Sequence, residues 1–251
     1  MSEAGLVARP RLGPAAAGRP GFGPAVPAAA ALGTLAAAAW ALLASGATGQ
    51  MSHHALLGSG HLPRAGALLA FLGNWQIMVA ATMLPPAIPA IAALARRGDR
   101  WWDATRTALV ATCAVCAVWT GFAIAVLAGD SLVHRLVAAW PWLAVREGLV
   151  TWAVLTLAGI VQLTSVRRHA LGTAGRPPVR PWRYALDCLG SCWALMLVMC
   201  AVALENLLWM AVLAGVMTVQ RLPGLGARLA PAVGLALISL AALAPLPGLV
   251  H

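Results

Sequence analysis

Residues 184–220 read YALDCLGSCWALMLVMCAVALENLLWMAVLAGVMTVQ, and how this stretch is divided decides the fold. As a single helix it would be about 55 Å long, nearly twice the ~30 Å hydrocarbon core of a bilayer. Arg180 and Arg183 precede it, and Arg221 and Arg228 follow it. Arginine gathers on the cytoplasmic side of membrane spans, so both flanks belong on one side and the crossings between them must be even. The polar pair Glu205-Asn206 lies near the middle, where a tight outer turn lets both side chains reach water. The stretch is therefore read as two helices, 184–203 and 206–220.

Working outward, further apolar runs cover about 25–44, 65–95, 105–128, 149–166 and 229–246. Crossing a bilayer as a helix takes ~20 such residues. The 251 residues are 61% hydrophobic and only 10% charged. A soluble domain carries roughly a quarter charged residues, so an ordinary soluble enzyme is excluded. Eleven Trp against three Phe and one Tyr fit interfacial anchoring rather than the girdle of a β-barrel. No period-two alternation or fixed repeat is sustained. The expectation is an all-α, polytopic transmembrane helical bundle of about seven spans, with the N-terminus inside and the C-terminus outside. Residues 1–24 hold Pro10, Pro14, Pro20 and Pro24 among Gly and Arg, and read as a disordered basic cytoplasmic tail. Residues 25–247 form a single transmembrane domain. The first run exceeds the ~7–15 apolar residues of a signal peptide and is read as a retained span.

The net charge is +10, and all 17 basic residues are Arg. Such usage beside abundant Ala fits a GC-rich bacterial genome, and so the plasma (inner) membrane of a bacterium. A nucleic-acid partner would want a basic face interleaved with exposed aromatics. Instead the arginines alternate between the two sides. Arg9, Arg11 and Arg19, then Arg96, Arg97, Arg100 and Arg106, then Arg167, Arg168, Arg176, Arg180 and Arg183, and finally Arg221 and Arg228 fall on one side. Only Arg64, Arg135 and Arg146 fall on the other. That is the positive-inside pattern, and nucleic acid is not an expected partner; the lipid bilayer is.

Soft and imidazole donors stand out among the side chains. Cys188 and Cys192 are four residues apart, about 40° around a helix, with Met196 and Met199 on the same side. Thiolates and thioethers select Cu(I) and Zn over Mg or Ca. The same residues also serve as small or flexible packing groups in membrane helices. Cys113 and Cys116 share a face but have no polar company, and read as packing. All five Cys lie inside spans, so no disulfide framework is expected. Two outer loops are expected at 45–64 and 129–147. The first carries Met51, His53, His54 and His61, a possible metal-capture cluster, and the second carries Asp130, His134, Arg135 and Glu147. Asp187 reads as a charge pair with Arg183 at the interface, or as a lining residue of a transport path. In the second span, Asn74, Met78 and Thr82 share a face, and Pro85 and Pro89 should kink the helix. Asn74 and Met78 are expected to face inward as that span packs on the Cys188 helix. Motifs of the GxxxxGK, GxSxG or HExxH type are absent, so the reading leans away from catalysis.

Three segments resemble a bacterial family, a domain of unknown function, known only as predicted metal-binding integral membrane proteins. They are Trp75-x-x-Met78-x-x-Ala81-x-Met83-x-Pro85, then Ala158-Gly159-Ile160-Val161-Gln162-Leu163-Thr164, and then Cys188-Leu189-Gly190-Ser191-Cys192-Trp193-Ala194-Leu195-Met196 continuing to Asn206-Leu207-Leu208-Trp209-Met210. The resemblance covers about residues 50–222 and carries over Cys188, Cys192, Met78 and Met83. This chain departs from it where the family has further cysteines: Ala170 and Ala174 replace a pair, and Ser191 precedes Cys192. Tyr184 stands where many members have His, and Thr82 where they have Met.

The resulting expectation is a membrane protein that binds a soft metal ion, copper ahead of zinc, and holds it or passes it to a metal-accepting or metal-delivering partner. Its ligands would be Cys188 and Cys192 with Met199, Met78 or Met83. The alternatives are a small-solute or ion transporter and a non-catalytic accessory subunit of a membrane assembly.

Overall fold

A computed structural model of the chain describes residues 25–46, 65–97, 100–140, 148–165, 167, 171, 180–203, 206–222 and 224–243. Every regular element among them is helical: α1 (Ala25–Ala44), α2 (Ala65–Ala95), α3 (Trp101–Ala139), α4 (Gly148–Leu163), α5 (Pro181–Val198), α6 (Leu207–Gln220) and α7 (Gly226–Leu243). A π turn at Met199–Ala203 extends α5. Five of the seven are long and apolar enough to cross a membrane, and α4 and α6 are apolar but shorter. The expected tail over 1–24 and the cluster of Met51, His53, His54 and His61 lie outside the described residues.

The break inside 184–220 is where the hydropathy and charge argument puts it. Its local cause is a helix cap. The Asn206 side-chain oxygen accepts from the N–H groups of Leu208 at 3.0 Å and Trp209 at 3.2 Å, satisfying two donors that a new helix would otherwise leave free.

Three features of the bundle bear on the sequence reading. First, the apolar run expected to end at 128 continues as helix to Ala139, so Asp130 and His134 sit on α3 and not in a loop. Leu132, Val133, Leu136 and Val137 keep a helical spacing there, and the first proline is Pro141. Second, α2 runs unbroken through Pro85, Pro86 and Pro89. Pro85 has no N–H for the Ala81 carbonyl, and the Trp40 indole of α1 donates to that oxygen instead, at 2.9 Å. Third, the chief neighbours of α2 are α1 and α3, and it is α3 that packs most extensively on α5. The Trp75 indole donates to the Trp119 carbonyl at 3.0 Å, and the Gln76 amide to Thr120 Oγ1 at 2.6 Å, which commits that face of α2 to α3.

On the far side, α4 and α7 meet at two glycines. A Cβ on Gly159 would lie 2.6 Å from Ile238 and 2.8 Å from the Gly234 carbonyl, and one on Gly234 would lie 2.9 Å from the Gly159 carbonyl. Small residues permit such close backbone approach between apolar helices. One continuous core then runs from Leu32 to Ala241 through the centre of the bundle.

Candidate metal centre

Pro181 occupies the first turn of α5, where its fixed φ and missing N–H cost nothing. The register it starts places Tyr184, Cys188, Ser191, Cys192, Leu195 and Met196 in the core. Cys188 is 0% and Cys192 1% exposed. Their thiols are within hydrogen-bonding reach of each other. The Trp119 indole N–H is buried nearby, close to Cys188 but without a well-aligned acceptor. The Ser191 hydroxyl donates to the Cys188 carbonyl at 3.0 Å and lies 3.5 Å from Cys192 Sγ.

Two arginines close this end of the bundle. Arg221 caps the C-terminus of α6 and is 8% exposed. Its Nη1 donates to Ser191 Oγ at 3.0 Å, and its guanidinium carbon lies 5.0 Å from the Tyr184 ring centroid. The turn that follows is tight: Gly224 has φ +78, and Gly226 sits so close to the Gln220 carbonyl that a Cβ has no room. Arg167 is 3% exposed and folds back beneath α4. There, the Thr164 hydroxyl donates to the Val161 carbonyl at 2.8 Å and accepts from the Arg167 N–H at 3.2 Å. The Arg167 side chain donates to Gln162 Oε1 at 3.1 Å and to Gln220 Oε1 at 2.9 Å.

Among the described residues, neither buried arginine meets a carboxylate. Burial pulls Arg167 below the usual arginine range, with Cys192 acting the other way and Arg221 adding to the downward push. Burial also opposes the charge of Arg221, but the acidic side chains beside it, Cys188, Tyr184 and Cys192, act the other way and leave Arg221 above that range.

Of the residues singled out by sequence, Cys188, Cys192, Met78, Met83 and Met199 are all buried in the same core. Met199 lies about 10 Å along the helix axis beyond Cys192. Met196, Met210 and Met217 are buried too, so every described methionine points into the bundle. Asp187 is not an internal lining residue: its side chain is 63% exposed and faces Arg183 at 3.9 Å. Cys113 is exposed and Cys116 half-buried, unlike the dithiol of α5. No group of three or more His, Cys, Asp or Glu occurs among the described residues. A metal held here would therefore draw its further donors from methionine or from a partner. Two thiols amid thioethers form a soft donor set, which suits Cu(I) and offers little to Mg or Ca.

Spacing within one run cannot reveal Arg167, Arg221, Gln162, Gln220 or Trp119 as neighbours of the dithiol. The available signal was the pair of glutamines inside apolar runs, because an amide in such a run needs a partner inside the bundle.

No curated protein and no solved structure matches the chain. A family model described as PpoB2, copper chaperone, matches residues 72–244, which takes in α3 to α7 and most of α2. It leaves out α1 and the Met51, His53, His54 and His61 cluster. On that match, spanning well over half of its length, the chain belongs to the PpoB2 copper-chaperone family.

Proposed function

We propose that the chain is an integral protein of the bacterial plasma membrane that holds Cu(I) at Cys188 and Cys192 and passes it to a partner protein. The observation that carries this reading is the pair of thiols buried one helical turn apart on the same face of α5, in a core lined by six methionines. The family match supports the choice of metal. Long apolar helices, and large side chains such as Leu69, Leu109, Ile124, Leu208 and Leu235 exposed on their outer faces, support the bilayer.

Copper is cargo here. Each thiol gives up its proton as its sulfur binds, so loading releases protons and leaves copper in its +1 state. Met78 supplies a third, weaker donor, Met83 extends the soft surface along α2, and Met199, about two turns beyond Cys192, continues it along α5. A thioether is more readily displaced than a thiolate, which gives an incoming donor of the partner a place to attach before the thiolates let go. The outer Met51, His53, His54 and His61 cluster serves as a capture site.

The test is a count of bound Cu(I) in reduced, purified wild type and in the double variant Cys188→Ser, Cys192→Ser. Wild type is expected to hold about one ion that the double variant lacks. Equal stoichiometry would move the site to the outer histidine cluster, and no binding in either would favour the scaffold alternative.

A further inference from the structure

Among the described residues, the end of the bundle where α4, α5 and α6 meet carries two buried arginines and no buried carboxylate. Arg167 and Arg221 are both more than nine-tenths buried, yet no carboxylate among the described residues reaches either. They are also close to one another, since Arg167 contacts Gln220, the residue preceding Arg221. Their unmet hydrogen-bonding groups are all of one kind. Arg167 Nη1, Gln220 Nε2 and the Tyr184 hydroxyl are buried without a partner, and each can donate. The acceptors of the cluster are already engaged: Gln162 Oε1 and Gln220 Oε1 by Arg167, and Ser191 Oγ by Arg221. Burying an unpaired charge costs far more than burying a paired one, and so does leaving buried donors unmet. A small anion that only accepts hydrogen bonds would answer both the charge and the unmet donors, and would suit a site with so little exposure. Water would meet the donors but leave the charge.

We infer that Arg167, Arg221, Gln220 and Tyr184 form a buried binding site for a small inorganic anion, a halide or a phosphate-like oxyanion. The phosphate of an anionic lipid headgroup shares this chemistry and is the other source to distinguish. Anion binding of this kind needs no copper, so it stands or falls separately from the metal reading.

The experiment uses the full-length, metal-free protein in detergent, with gluconate as a bulky reference anion at constant ionic strength. Chloride or inorganic phosphate should raise the Tm of wild type saturably, by a few degrees, and chloride should show saturable excess linewidth in 35Cl NMR. The response should persist in the Cys188→Ser, Cys192→Ser variant, in which no thiolate can act as counter-charge. It should weaken at least tenfold in Arg167→Gln and a few-fold in Tyr184→Phe. Gln220→Glu puts a carboxylate into the cluster itself. That variant should melt higher than wild type in gluconate and lose its response to added anions, which separates a filled site from a damaged fold. A rise in Tm with phosphatidylglycerol micelles but not with chloride or phosphate, again lost in Gln220→Glu, would assign the site to a lipid headgroup. No saturable response of wild type to any of the three would overturn the inference, as would an undiminished response in Gln220→Glu.

Discussion

Pro85 removes the N–H that the Ala81 carbonyl would take within α2, and Trp40 provides a replacement from α1. Trp40→Phe keeps most of the ring and removes only the donor, leaving a buried carbonyl unmet. It is expected to cost about 1–3 kcal/mol, read as a lower Tm. Pro85→Ala in that background should recover part of the loss by restoring the intrahelical bond. The dithiol behaves differently with pH. Protons compete with Cu(I) for both sulfurs, so the apparent Cu(I) affinity should fall as pH is lowered, measured by competition with a chromophoric chelator. A pH-independent affinity would argue against thiolate ligands. That Cys188 and Cys192 share one helix face was readable from their spacing alone. The environment of that face was not, because Ser191, Arg221 and Tyr184 come together only through the α5–α6 contact.

Among the elements, α4 and α7 depend most on an absent atom. Gly159→Ala forces a Cβ against the Gly234 carbonyl, which is backbone and cannot swing aside. A loss of about 1–3 kcal/mol is expected, with Gly159→Leu worse. Gly190 on α5 is the control: nothing lies within 4 Å of its would-be Cβ. Gly190→Ala should therefore be neutral or stabilise by up to about 1 kcal/mol, through helix propensity alone. Thermal unfolding of the three variants side by side decides the matter. At the start of α6, Asn206→Ala removes the cap and should cost about 1 kcal/mol by the same measurement. Helix positions were largely legible, since the runs 65–95 and 149–166 lie close to Ala65–Ala95 and Gly148–Leu163. The end of α3 was not. Hydropathy marks where a segment stops being apolar enough to span, whereas the helix stops only where its hydrogen bonding does, at Trp140 just before Pro141.

For the whole molecule, the arrangement of arginines makes a prediction about sidedness. In a chain freed of its native cysteines, single cysteines at Arg97 and Arg176 should be accessible from the cytoplasmic side. Those at His54 and Glu205 should react from the opposite side. Labelling that places 97 and 176 on different sides would overturn the seven-span topology. That prediction uses the sequence alone, because the free energy of moving a segment into lipid is set by its own side chains, and the side on which a loop rests by its own arginines. Helical class, the approximate spans, the break near Asn206 and the soft character of the Cys188 face were all local properties of this kind. The tertiary structure alone decided that α3 and not α2 is the main neighbour of the Cys188 helix, and that Trp40 answers Pro85. It also decided that two arginines counted as cytoplasmic charge are buried beside the dithiol. Those outcomes join residues distant in the chain, and they depend on which helix faces fit together and which buried polar groups can be satisfied, quantities that no single segment carries.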